Sequence, residues 1–118
     1  MSKIKIKVNV NNEKDHFYTA IFQNKSNILT YKEENNTLVK FNYNQDVLIR
    51  ENKEFFMQYK FLKKEKTIGE IFIKDLNKTI NLDIKTTKLL KNDLNLNIEY
   101  EIYDDQMSYK IEVRKWVL

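Results

Sequence analysis

The chain has 118 residues and a formal charge of +4, from 21 Lys and Arg against 17 Asp and Glu. That length supports one domain with a single core, and 42% hydrophobic with 13% aromatic content sets it apart from disordered chains despite 32% charged residues. The lack of Cys excludes disulfides and thiolate metal sites and suits a reducing cytosol, the single Gly excludes a phosphate-cradling glycine loop, and no apolar run approaches a membrane span.

The start, Met1-Ser2-Lys3-Ile4-Lys5, lacks the apolar stretch of a signal peptide. Ile4, Ile6, Val8 and Val10 then alternate with Lys5, Lys7 and Asn9. A period of two puts each set on its own face of a strand. The pattern predicts ten strands, at about 3–10, 16–24, 27–33, 37–43, 46–51, 55–62, 67–74, 78–86, 94–103 and 107–117. Turns are expected at Asn11-Asn12-Glu13-Lys14, Glu34-Asn35-Asn36, Asn44-Gln45, Asn52-Lys53-Glu54, Lys63-Lys64-Glu65-Lys66, Asp75-Leu76-Asn77 and Asp104-Asp105-Gln106. In all of these but Lys63-Lys64-Glu65-Lys66, Asn or Asp stands in for Gly. The middle strands are apolar on both faces, with Phe55, Met57, Tyr59 and Phe61 on one and Phe56 and Leu62 on the other. Thr87 to Asp93 is the only stretch with room for a helical turn. Farther on, Leu94, Leu96, Ile98, Tyr100 and Ile102 alternate with Asn95, Asn97, Glu99 and Glu101, and Tyr109, Ile111 and Val113 with Lys110 and Glu112. Short links favour antiparallel neighbours. An open meander of this length would leave two long edges, so the expected fold is all-β, one antiparallel barrel of about eight to ten strands over residues 1–118.

Leu48-Ile49-Arg50, then Met57, Phe61 and Gly69, then Leu82, Ile84, Thr86 and Leu89, and finally Ile98-Glu99-Tyr100-Glu101-Ile102 together resemble the YwiB-like family. The resemblance spans roughly residues 38–103 and implies a small bacterial protein with a calycin-like (lipocalin-like) β-barrel. It carries over no catalytic residue. Asn52-Lys53 and Asp75-Leu76-Asn77-Lys78 stand where the family tends to have Gly and Pro/Gly turns.

Enzyme chemistry finds little support. A nucleophile needs a base and a third orienting group, yet there is one His, no Cys, and only Ser2, Ser26 and Ser108 among the serines. His16 reads as a turn-flanking residue. Asp104-Asp105 lacks the spacing of a calcium loop. Glu99 and Glu101, roughly 7 Å apart on one strand face, read as a solvated cross-strand surface with Lys110 and Glu112. No metal or other cofactor is expected.

Arg50 is the notable polar residue, one of two arginines in a lysine-rich chain, placed directly after Val47-Leu48-Ile49. The sequence pairs it with Glu70, which shares a face with Ile68 and Phe72. Either the two form a partly buried ion pair or Arg50 anchors an anionic head group. Phe41, Tyr43, Tyr59, Phe61, Phe72, Tyr100 and Tyr109 either fill the interior or line a ligand cavity, and a barrel of this size permits both. The expected function is a non-catalytic cytosolic binding or interaction domain; a ligand, if it has one, is small and partly apolar or anionic, with Arg50, Glu70, Tyr59, Tyr100 and Tyr43 as candidate contacts. The alternative is association with nucleic acid through Lys3, Lys5, Lys7, Lys110 and Arg114 on the outer strands; edge lysines that block aggregation explain the same row. Phe56, Leu62, Ile71 and Ile73 form an expected outer apolar patch, to be covered either by a symmetric homodimer or by the N-terminal or 87–93 segment of the same chain.

Overall fold

The computed structural model describes residues 2–93, 95–103 and 107–117. Ten strands run in chain order: β1 (Ser2–Val10), β2 (His16–Gln23), β3 (Ile28–Lys32), β4 (Leu38–Asn42), β5 (Val47–Glu51), β6 (Phe55–Lys60), β7 (Lys66–Ile73), β8 (Lys78–Asn92), β9 (Asn95–Ile102) and β10 (Met107–Val117). Each pairs antiparallel with its neighbours in sequence, and β1 closes on β10 from Ser2↔Val117 to Val10↔Tyr109. The result is a closed all-β barrel in which every strand has a neighbour on each side.

The alternation read from the sequence sets the two faces. Ile4, Ile6 and Val8 on β1, Leu96, Ile98, Tyr100 and Ile102 on β9, and Ile111 and Val113 on β10 are all buried. Positive φ angles among the described residues fall on Asn11, Asn12, Asn27, Asn35, Asn36, Asp46, Asn77 and Asp93, with Lys64 as the exception. Asn and Asp do adopt the left-handed conformation that Gly would otherwise supply. The expected turn at Asp104-Asp105-Gln106 lies outside the described residues, as do Leu94 and the side chain of Lys3.

Two expectations need correction. The stretch from Thr87 to Asp93 forms no helical turn. Instead β8 continues to Asn92 past a bulge between Thr86 and Lys88, keeping Lys88↔Glu99, Leu89↔Ile98 and Leu90↔Asn97 in register. The bulge adds one residue, which returns Leu89 to the apolar side after Thr86. The described chain's one helical turn is a 3-10 turn at Glu34–Asn36.

The second correction concerns the phase of β7. Phe56 pairs with Phe72 on the outer face, while Ile71 opposite Met57 and Ile73 opposite Phe55 turn inward. The run Ile71-Phe72-Ile73 is apolar in either phase, so it does not fix the register by itself. Gly69 fixes it. A Cβ at that position would lie 2.5 Å from both Ile84 Cδ1 and Tyr59 Cδ1, so these side chains pack directly on the backbone of the wall. The anticipated outer patch therefore comes apart: Ile71 and Ile73 belong to the inner face, Leu62 follows β6 and is exposed, and Phe56 meets Phe72 outside.

The middle of the barrel is filled. Tyr59, Tyr100, Phe41 and Phe61 are the largest fully buried side chains. Tyr100 packs 4.8 Å from Phe61 and stacks at 4.9 Å on Tyr109, while Phe41 lies 6.4 Å from Phe61. Aromatic contacts at these separations are in the favourable range.

Candidate functional site

One inner row crosses six strands near the end of the barrel that carries the β3–β4, β5–β6 and β7–β8 turns. It runs Tyr31, Val39, Arg50, Met57, Ile71 and Ile80, each opposite the next. Val39 is sealed, whereas Ile80 is 38% exposed although it belongs to the inner face. This end is therefore open on the β6–β8 side. There Phe55, Met57, Ile71 and Ile73 are half-buried and form an apolar wall.

The opposite wall is polar. Arg50 follows the inward Leu48 on β5, so its guanidinium extends along the inner face. Its partner is Glu33: Arg50 Nη2 donates to Glu33 Oε1 at 2.5 Å and Nε to the same oxygen at 3.2 Å. The two side chains are 24% and 10% exposed, so most of both charges is withdrawn from bulk water. Glu33 reaches this position because it extends the inward set Leu29, Tyr31 past the end of β3. Its backbone N–H donates to Thr37 O at 2.8 Å, which closes the turn, and Asn52 Nδ2 ties the buried Thr37 hydroxyl to the next turn at 3.0 Å.

Burial opposes the Arg50 charge. The Glu33 carboxylate, with smaller contributions from Tyr100 and Tyr31, outweighs that opposition and holds the guanidinium pKa above its ordinary value. Burial raises the phenols of Tyr31 and Tyr100 well above theirs, so both remain hydrogen-bond donors at neutral pH. Tyr18 completes the wall: burial, and then the hydrogen bond it donates to Glu34 Oε2 at 2.7 Å, raise its pKa, and its ring lies 5.4 Å from that of Tyr31. His16 Nδ1 sits 3.7 Å from Glu34 Oε1 at the rim. Among the described residues, Arg50 Nη1 and the Tyr31 and Tyr100 hydroxyls make no hydrogen bond to the protein.

The expected Arg50–Glu70 pair does not form. Glu70 is exposed on the outer face, opposite Gln58 and Asn81, because β7 has the opposite phase to the one that pairing requires. Phe72 likewise points out rather than into the interior. Tyr59 and Tyr100 belong to the buried aromatic core, with Tyr59 Oη 3.3 Å from Met57 Sδ. Tyr43 lies at the other end of the barrel, beside Phe22. Sequence reasoning missed Glu33, Tyr31 and Tyr18. The signal for Glu33 was an acid in phase with Leu29 and Tyr31.

The basic outer row is interleaved with carboxylates. Lys7 Nζ is 3.4 Å from Glu112, Arg114 Nε is 2.5 Å from the same residue, and Lys88 is 3.7 Å from Glu99. Lys110 pairs across the sheet with Glu99. Among the described residues, no His, Asp and Glu groups cluster as a metal site, and no helix is long and apolar enough to cross a membrane.

No family model matches the sequence, and no curated protein does. Among solved structures, the chain is similar to the crystal structure of the YwiB protein from Bacillus subtilis, with a TM-score of 0.61 and 13% identity over 98% of this chain and 89% of that one. At that identity the likeness concerns the fold alone, a closed ten-strand antiparallel barrel consistent with the calycin-like barrel that the sequence resemblance implied.

Proposed function

We propose that this chain is a non-catalytic cytosolic binding domain that takes a small amphipathic ligand at the open, Arg50-bearing end of its barrel. The carrying observation is the division of that mouth into two walls. Phe55, Met57, Ile71 and Ile73 offer apolar surface, and Arg50 with the Tyr31 and Tyr100 hydroxyls offers donors that the protein leaves unused. Donors of that kind suit an oxygen acceptor, and a carboxylate above all, because a guanidinium and phenols can share its lone pairs. The apolar tail would rest on the β6–β8 wall. The filled midsection limits such a ligand to the mouth. The interleaved carboxylates on β9 and β10 argue for this reading over the nucleic-acid alternative, since they cancel much of the field a phosphate backbone would meet.

Native mass spectrometry of freshly purified protein, paired with a thermal shift titration using octanoate, tests the proposal. The expected result is a bound small molecule, or a saturable rise in melting temperature with octanoate, that is lost in Arg50→Gln with the barrel's circular dichroism intact. Ligand-free protein that octanoate does not stabilise, or a shift that Arg50→Gln leaves unchanged, overturns it.

A further inference from the structure

We propose that the opposite end of the barrel carries a second, independent binding site, for a neutral polyhydroxylated small molecule such as a mono- or disaccharide. A concavity of about 740 Å³ opens there, with Phe22, Tyr43, Asn24, Asn27, Asn44 and Asn95 in its lining. Its volume falls within the range of small-molecule sites, about 300–1,000 Å³. Three chain segments meet around it: the β2–β3 turn, the β4–β5 turn, and the end of β8 with the start of β9.

The charges at this end are already matched. Lys91 Nζ donates to Tyr43 O at 3.0 Å and to Asp46 Oδ1 at 2.6 Å, bracing β8 against the β4–β5 turn. Asp93 also lines the concavity, and Lys25 stands on the β2–β3 turn between Asn24 and Asn27, so with the Lys91–Asp46 pair balanced the local charge sums to zero. No surplus of positive charge draws a carboxylate or phosphate there. The chemistry here is therefore unlike that around Arg50.

What the concavity offers is amides. Each carries a donor and an acceptor, and a hydroxyl is likewise both. Asn27 Nδ2 donates to Asn44 Oδ1 at 3.1 Å. That bond orients both groups and leaves the Asn27 oxygen and the Asn44 nitrogen for a ligand. Asn24 makes no side-chain hydrogen bond among the described residues. Local turn geometry explains only part of this set. Asn27 sits at φ 55°, and it is Asn42 whose Oδ1 accepts from the N–H groups of Asn44 and Gln45. Neither duty falls to the side chains of Asn24 or Asn44. The rings of Phe22 and Tyr43, which meet edge to face at 5.6 Å and 84°, supply the aromatic part of the lining. The C–H face of a pyranose ring would pack against that aromatic surface while its rim hydroxyls meet the amides.

The test is a two-dimensional amide NMR titration with maltose and with N-acetylglucosamine, using inorganic phosphate and octanoate as controls. The expected result is saturable shifts, in the millimolar range, confined to residues 22–27, 43–46 and 91–95 with at least one sugar. Binding should weaken about tenfold in Asn44→Ala, which keeps the Asn42 cap of its turn. Asn24→Ala is the second variant, since it removes an exposed side chain with no partner. The proposal is overturned if neither sugar gives saturable shifts there, if phosphate binds the site more tightly than both, or if both variants bind like the parent.

Discussion

Replacing Gly69 by Ala tests the packing that sets the inner face. The φ of Gly69 lies outside the left-handed region, so Ala meets no backbone strain. The obstacle is space: the new Cβ would lie 2.5 Å from Ile84 Cδ1, 2.5 Å from Tyr59 Cδ1 and 3.1 Å from Tyr59 Cε1. Carbon contacts settle at about 3.5–4.0 Å, so each neighbour must retreat by roughly 1 Å. Ile84 can swing its terminal methyl. Tyr59 is 2% exposed, with its ring 6.0 Å from that of Tyr100, and it has little room. Overpacking of this kind costs about 1–3 kcal/mol. The loss of backbone freedom in the unfolded chain returns about 0.4–1 kcal/mol. The net expectation is a destabilisation of about 1–2 kcal/mol, a fall in Tm of roughly 3–8 °C for a domain of this size. Ile84→Val, which removes the clashing Cδ1, costs about 0.5–1.5 kcal/mol alone. The double variant should be more stable than the sum of the singles predicts, by about 1 kcal/mol. Urea denaturation of the four proteins measures the cycle. A Gly69→Ala protein as stable as the parent, or strict additivity, refutes this account of the β7 phase.

Glu33→Gln should destabilise by about 2–3 kcal/mol, below the 3–5 kcal/mol of a fully buried broken pair because Arg50 keeps some exposure. Arg50→Lys should also destabilise, since one ammonium cannot reproduce the Nε and Nη2 donors, while the exposed Glu70→Gln should change urea midpoints negligibly; equal effects at Glu33 and Glu70 would contradict the pairing. At Glu112, burial opposes the charge, but Arg114 and Lys7 more than offset it and depress its pKa. A carboxyl depressed on folding contributes stability that is present above its unfolded pKa, about 4.3, and is lost as pH falls through the folded value. Glu112→Gln should therefore narrow the stability difference between pH 7 and pH 3, and an unchanged difference by thermal melts at the two pH values would count against that linkage.

The barrel was legible because most strands are unambiguous in phase. Ile4, Ile6 and Val8 between lysines admit one orientation, as do Leu96, Ile98 and Tyr100 between Asn97 and Glu99. Turns were legible from Asn and Asp, which in a chain with one Gly had to take the positive-φ positions. The site was less legible, for two physical reasons. Ile71-Phe72-Ile73 is apolar in both phases, and the residue that decides, Gly69, reveals itself only through the side chains that approach it. That ambiguity carried Glu70 to the wrong side of the wall and left Arg50 with the wrong partner. Glu33 was hidden in Lys32-Glu33-Glu34-Asn35-Asn36, a run whose polarity reads as solvated turn even though its first acid continues the inward alternation of β3.

The arrangement of the interior bears on how the two ends relate. Phe41, Tyr59, Phe61 and Tyr100 are each no more than 2% exposed and lie between the Arg50 mouth and the amide-lined concavity. Rings buried to this degree, packed as protein interiors are, separate the two ends, so one ligand does not reach both. The chemistries also differ, with a donor-rich wall around Arg50 and an amide-rich lining of balanced charge around Asn44. Sites that share no side chain and are separated by a packed layer respond to substitution additively. Arg50→Gln is therefore expected to leave a sugar titration unchanged, and Asn44→Ala to leave an octanoate titration unchanged. Cross-effects would require Tyr100 to have two packed positions, because it is the plug residue whose phenol lies within the electrostatic reach of Arg50.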